Sequence, residues 1–349
     1  MSVNIHPDSR RWFLTGGTVL FFLSLMLQPE KASAAVTDAM ENFCLQLIPV
    51  LFPYMVLSHF FCTYGLLDPL SVIFPVNRLF HMGNHAFSVF LMGHLCGYPV
   101  GARMAADLVR QKKLTMRQGE ILCAVSSGAS PAFLIHAAGG AYWNDIRFGI
   151  FLLILQIAVG LLGGAVLGRR KETVLYEQDA ANDAVPFFRC FCEAVGGSAL
   201  QLVSIGGYIV FFSLLAQMLP GDTIFTTAAA AVLEFSSGIR TAAAAGGISG
   251  LFLTGFAAGF GGLSVLAQTA HMVSGSGIRL KIYAAYKLTA GFICGTGAML
   301  YGILFPEIHL GRNVAAVLDI GGNGIFLALF FGILVMMWYS GYFPAERRQ

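Results

Sequence analysis

Two apolar stretches of this chain are cut near their middle by residues that end helices. Gly97-Tyr98-Pro99-Val100-Gly101 interrupts 86–110, and Gly259-Phe260-Gly261-Gly262 interrupts 248–275. Gly reaches positive φ without steric cost and Pro has no N–H to donate, so either cluster can reverse the chain. Two further interruptions are Ser126-Ser127-Gly128-Ala129-Ser130-Pro131 and Gly291-Phe292-Ile293-Cys294-Gly295-Thr296-Gly297. In the first, Ser130 is placed to cap free N–H groups and Pro131 suits the first helical position. A helix restarting in apolar surroundings presents unpaired donors and partial positive charge, which suit an anionic or polar group. Close helix packing by small residues is the alternative for each break taken singly.

Polar side chains near these breaks extend the candidate set. Arg103 and Asp107, four apart, face one helical side and either pair structurally or leave Arg103 as positive charge for an anion. Glu234 is either a ligand or proton-carrying carboxylate, or an exposed loop residue. Lys287 lies one turn before the second break, where its stem can snorkel. Gln268 can both donate and accept. The candidate substrate contacts are Gly97, Tyr98, Pro99, Gly101 and Arg103 at the first tip and Ser126, Ser127 and Ser130 at the first break. Glu234, Gly261, Gly262, Ser264 and Gln268 accompany the second tip, and Thr296 the second break. No GxSxG, HExxH or phosphate-binding loop is present, and the three serines have no evident base, so no catalytic residue and no enzyme activity is expected. His59, His94, His136 and His271 lack ligand spacing, and the seven cysteines show no CxxC, so no metal or cofactor is expected and the cysteines read as small packing residues.

The elements that must hold these residues lie in a membrane. Apolar residues make up 56% of the chain and charged residues only 11%, too few to cover a soluble protein of this length. A net charge of +3 with no basic face excludes a nucleic-acid partner. About 20 apolar residues cross a bilayer, giving spans at 12–29, 43–66, 118–141, 148–168, 190–219, 282–303 and 323–342, with 86–110 and 248–275 as re-entrant hairpins. Residues 12–29 are read as an uncleaved first span rather than a signal peptide with twin arginines. Lys and Arg counts favour a cytoplasmic N-terminus and an outside C-terminus, with Arg279, Lys281, Arg347 and Arg348 as exceptions.

The chain also repeats itself. At one constant offset Phe90-Leu91-Met92-Gly93 matches Phe252-Leu253-Thr254-Gly255, and Gly97-Tyr98 matches Gly259-Phe260. The expected fold is an all-α polytopic membrane protein of two inverted repeats, each with a re-entrant hairpin and a broken transmembrane helix. Its divisions are an N-terminal segment and connection (1–42), a first repeat (43–168), a polar cytoplasmic linker (169–186), a second repeat (187–343) and a polar tail (344–349).

The same residues carry a family likeness. Leu47-Ile48-Pro49-Val50-Leu51-Phe52-Pro53-Tyr54, Gly97-Tyr98-Pro99-Val100-Gly101-Ala102-Arg103, and Gly261-Gly262-Leu263-Ser264-Val265 with Gln268 stand in the order and separation of three family motifs. The chain resembles the YlbJ-type sporulation integral membrane proteins, which carry a nucleoside-recognition Gate domain. That resemblance implies a fold related to concentrative nucleoside transporters, in a bacterial cell membrane or the membrane around the forespore. It also implies movement of a small anionic or polar solute such as dipicolinate. Where the family leads one to expect an Asn-bearing turn, this chain has Ser126 to Pro131. A non-transporting scaffold or gating component is the rival expectation. The coupling ion (proton or sodium), the direction of transport and the oligomeric state, a homo-oligomer included, stay open.

Overall fold

The computed structural model describes residues 7–169 and 186–307, apart from isolated positions between 65 and 84 and at 220 and 222. The expected last span and tail, and almost all of the polar linker, lie outside the described residues.

Among the described residues the chain is helical throughout, with no strand. Helix α1 (Pro7–Leu27) turns through 97° at Gln28 into α2 (Pro29–Asn42). The residue before a proline avoids helical dihedrals, and Gln28 sits at φ −132°, ψ 56°, while Pro29 opens α2 where a missing N–H costs nothing. A π-helical turn, Phe43–Leu47, leads into α3 (Ile48–Tyr64). After the short α4 (Val76–Phe80), α5 (His85–Cys96) and α6 (Val100–Arg110) fold back on one another as a hairpin. Helix α7 (Met116–Val125) stops, and a π-helical stretch, Ala132–Tyr142, continues beyond the break. Helix α8 (Ile146–Leu167) closes the first half. Its 22 residues rise about 33 Å, enough to cross the hydrocarbon core of a bilayer.

The second half begins with α9 (Phe187–Gln217). Next come two short helices, α10 (Ile224–Leu233) and α11 (Phe235–Ala245), and then α12 (Gly247–Phe260), α13 (Gly262–Val273) and α14 (Lys281–Leu304). Four segments are long and apolar enough to span: α8, α9, α12 with α13, and α14; α1 with α2 forms a fifth, bent one. Large apolar side chains on α8 and α9, such as Ile154, Leu162, Leu200 and Val203, point outward. A lipid environment removes the cost of that exposure. Cys96, Cys123, Cys190 and Cys294 are buried as packing residues, whereas Cys44 and Cys192 lie on the outer surface.

Two expectations change here. The second hairpin is α10–α11, at 224–245: a Cβ on Gly238 would lie 2.4 Å from the Ala231 Cα, so the two helices meet backbone to backbone. The segment 247–273 does not reverse; α12 and α13 run on as a single 27-residue span interrupted at Gly261. The break expected at 291–297 is absent, and α14 is continuous. Its glycines serve packing instead. Gly255 and Gly259 of α12 face Cys294 and Ala290 of α14 so closely that added Cβ atoms would sit 2.3 and 2.5 Å from those carbonyl oxygens. Small residues four apart allow this approach, which is a main source of helix association in membranes.

Cross-chain contacts assign the two ends of the bundle. Arg279 Nε donates to Glu120 Oε1 at 2.9 Å, and Arg110 Nη2 donates to the carbonyls of Met272 and Ser274. At the other end Tyr301 donates to Asp145 Oδ2 at 3.0 Å, and Arg240 Nη1 donates to Asp38 Oδ1 at 3.0 Å.

Candidate functional site

Four interruptions of helical backbone converge in the interior: the hairpin tips at 97–99 and 234–235, and the breaks at 126–131 and 261. Gly97, at φ +81°, approaches Ser130 so closely that a Cβ would lie 2.9 Å from its nitrogen. Gly261 (φ +86°) and Gly262 (φ +78°) face Tyr98 and the Leu233–Phe235 backbone respectively. The first tip therefore rests on both breaks, and the second tip on the second break. Gly93 and Gly101, one on each arm of the first hairpin, straddle the Ser126 carbonyl; a Cβ would meet that oxygen at 1.9 and 2.3 Å.

The first break is built largely as its residues suggest. Helix α7 opens with a capping box between Thr115 and Gln118. The chain leaves the helix after Val125 and restarts at Pro131, with Ser130 Oγ accepting from Phe133 N at 3.3 Å. Ser127 Oγ donates to the Cys123 carbonyl at 2.7 Å, and Ser126 Oγ is buried with no hydrogen-bond partner among the described residues. Gln156 of α8 holds the unwound backbone by accepting from Ala129 N at 2.8 Å and donating to its carbonyl at 3.0 Å. A side-chain amide that both accepts and donates fits such a gap in the backbone ladder.

Lys287 of α14 ties the interruptions together. Its Nζ donates to the Tyr98 phenol oxygen at 2.8 Å and to the Ser127 carbonyl at 2.9 Å, and it stands 4.7 Å from the Tyr98 ring centre. The Tyr98 hydroxyl donates a hydrogen bond to the Ala258 carbonyl at 3.1 Å, and its ring meets Phe235 of the second tip edge-on. Lys287 is 2% exposed, and no ion pair among the described residues includes it. Burying a cation without an anion costs several kcal/mol before hydrogen bonds offset it. Beside it a cavity of about 10 Å³, lined by His94, Ser127, Gln156, Lys287 and Cys294 among others, has room for about one water.

The candidates fall in four groups. Gly97, Tyr98, Pro99, Ser126, Ser127, Ser130, Gly261 and Gly262 lie at the convergence, with Gly101 one turn behind the first tip. Glu234 forms the second tip and is fully buried, not an exposed loop carboxylate. Its two oxygens accept from Ser236 N (3.1 Å), Ser237 N (2.7 Å) and Ser236 Oγ (2.7 Å), capping α11. Ser264 and Gln268 are buried on α13 and bonded to each other at 3.1 Å. Arg103 and Thr296 stand apart. Arg103 faces α9, donating to Gln201 Oε1 with Asp107 3.6 Å away, so the paired reading of Arg103 and Asp107 describes it. Thr296 is exposed on the outer side of α14.

Sequence reasoning passed over Gln156 and gave Lys287 to the interface. The offset that pairs Gly93 with Gly255 sets the first hairpin against the through-going α12, whereas a different constant offset matches α8 to α14. The step that carries Gln156 to Lys287 also carries Gly119 to Gly250, Gly128 to Gly259, Gly160 to Gly291 and Gly164 to Gly295.

Comparison with known proteins agrees with the membrane architecture. No family model matches the chain, and no solved structure does. The chain is 22% identical over 333 aligned positions to the sporulation integral membrane protein YlbJ of Bacillus subtilis (strain 168), covering 80% of this chain and 81% of that protein. That likeness extends over four fifths of both chains.

Proposed function

We propose that the protein is a membrane transporter for a small polar or anionic solute, bound where the two hairpin tips meet the two broken spans. The observation that carries this reading is the convergence of four helix interruptions on Tyr98 and Lys287 at the centre of the bundle. Non-helical backbone at membrane depth is tolerated where it is covered by protein or lines a solute cavity, and secondary transporters place their sites at such breaks. On this reading α3 to α8 and α9 to α14 are the two inverted repeats of a nucleoside-recognition Gate fold. Each has a long span, a hairpin, a broken span and a last span, hence an odd number of crossings. The relative's name points to sporulation, and dipicolinate in the membrane around the forespore is the first solute to test. The protein is a carrier without bond-making chemistry, working without a cofactor, its coupling ion a proton or sodium.

A second reading has its own observation. The space between the breaks is about 10 Å³, far too small for an aromatic dicarboxylate, which suits a sealed scaffold or gating component of a sporulation or envelope complex. On the carrier reading, a core this tight is a closed one. Uptake of labelled dipicolinate and uridine into proteoliposomes separates the two readings. Saturable uptake of either solute supports the carrier; no uptake and no binding of either supports the scaffold.

A further inference from the structure

We infer that Lys287 is the group that selects an anion, and that Tyr98 is the latch holding its place until a carboxylate arrives. The inference rests on the carrier reading and names its substrate class and the residue that meets the charge. Three observations carry it. First, Lys287 is a buried lysine without a carboxylate partner among the described ion pairs, its amino group held by a phenol oxygen, a carbonyl and a ring face alone. An ammonium has three N–H donors, and two are accounted for by these bonds. Second, it borders the cavity between the two broken spans, whose lining also includes His94 and Gln156. Third, its partner Tyr98 is tied to every other interruption: by position to the first tip, by its hydroxyl to the Ala258 carbonyl beside the second break, and by its ring to Phe235 of the second tip.

A carboxylate reaching Lys287 supplies a full opposite charge, which neither the phenol nor the carbonyl offers, and at low dielectric that attraction is stronger than in water. The unused third N–H takes one carboxylate oxygen, and the phenol is the acceptor that the second oxygen displaces. Once Tyr98 swings out, the first tip loses its bond to the second broken span, so binding an anion loosens the contact that keeps the core shut. A neutral solute of the same shape has no such advantage over the phenol, and leaves the latch closed. Arg103, turned toward α9, does not take part.

The test uses the full-length protein in detergent and calorimetric binding of three probes: pyridine-2,6-dicarboxylate, its neutral diamide, and uridine. The expected result is that the wild type binds the dicarboxylate at least about tenfold tighter than the diamide. Lys287→Gln should lose that preference, Lys287→Arg should keep most of it, and Tyr98→Phe should bind the dicarboxylate as well as the wild type or better. If Lys287→Gln fails to fold, the wild-type preference and the Lys287→Arg variant still decide. A wild type that binds the diamide or uridine with no preference for the anion sinks this inference and leaves the carrier standing. So does a folded Lys287→Gln that binds the dicarboxylate normally. A wild type that binds none of the three removes both.

Discussion

Single residues here do two kinds of work, and Glu234 and Lys287 mark the difference. Both are buried ionisable groups, Glu234 forming the second tip and Lys287 reaching the first tip and first break from the continuous α14. The Glu234 carboxylate is filled by the two N–H groups and the hydroxyl of the helix it caps, so nothing in its surroundings calls for a ligand. Lys287 instead bridges elements far apart in sequence and lacks a counter-ion among the described residues. Glu234→Ala should therefore act as a lost N-cap, costing about 1–2 kcal/mol. It should lower the melting temperature in detergent while leaving the ratio of dicarboxylate to diamide affinity unchanged. A changed ratio with an unchanged melting temperature would return Glu234 to the binding site. The sequence allowed this carboxylate to be a ligand or a loop residue; the capping geometry was missed because α11 had not been recognised as a helix. The serines that follow, Ser236 and Ser237, were the visible trace of that cap.

Elements were legible where length and apolarity agree, and lost where they part. Helices α8, α9 and α14 fall within a few residues of their expected spans because each is long enough to cross a bilayer and predominantly apolar. The α10–α11 hairpin escaped because each arm is only 10 or 11 residues long and alanine-rich, below the length a crossing requires. Its place was then given to 247–273, whose glycine cluster looks like a reversal but breaks a through-going span. The same ambiguity made the glycines of α14 look like a break. Glycine supplies both flexibility and close approach, and only the neighbour distinguishes them. At Gly93 the neighbour is backbone: Gly93→Ala would drive a Cβ to 1.9 Å from the Ser126 carbonyl oxygen. The first hairpin must shift off the break, at a cost of about 1–3 kcal/mol. Gly196→Ala on α9, where nothing lies within 4 Å of the added Cβ, should be neutral or stabilising by up to about 1 kcal/mol. Thermal unfolding of the two variants in the same detergent checks the pair. Equal melting temperatures would mean that the first hairpin does not pack against the break in this way.

At the scale of the whole molecule, moving the hairpin changes where every later loop lies. With 248–275 as a re-entrant pair, Arg279 and Lys281 stood on the outside, against the usual excess of cytoplasmic Lys and Arg. With 224–245 as the hairpin and 247–273 crossing, the loop after α13 lies at the end that already holds Arg110, Lys112, Lys113 and Arg117. The Arg279–Glu120 pair joins the two loops directly. The opposite end keeps Arg147 and Arg240, each beside an aspartate, Asp145 and Asp38. Charge and contact thus agree where they previously conflicted, and the agreement favours a cytoplasmic N-terminus. In a cysteine-free background, a membrane-impermeant maleimide added to intact cells should label Arg147→Cys. It should reach Lys112→Cys and Lys281→Cys only after permeabilisation. The reverse pattern would place the N-terminus outside while preserving the fold. Labelling of Lys112→Cys and Lys281→Cys from opposite sides would break the fold itself, because the continuous crossing of 247–273 requires those two loops to share a face.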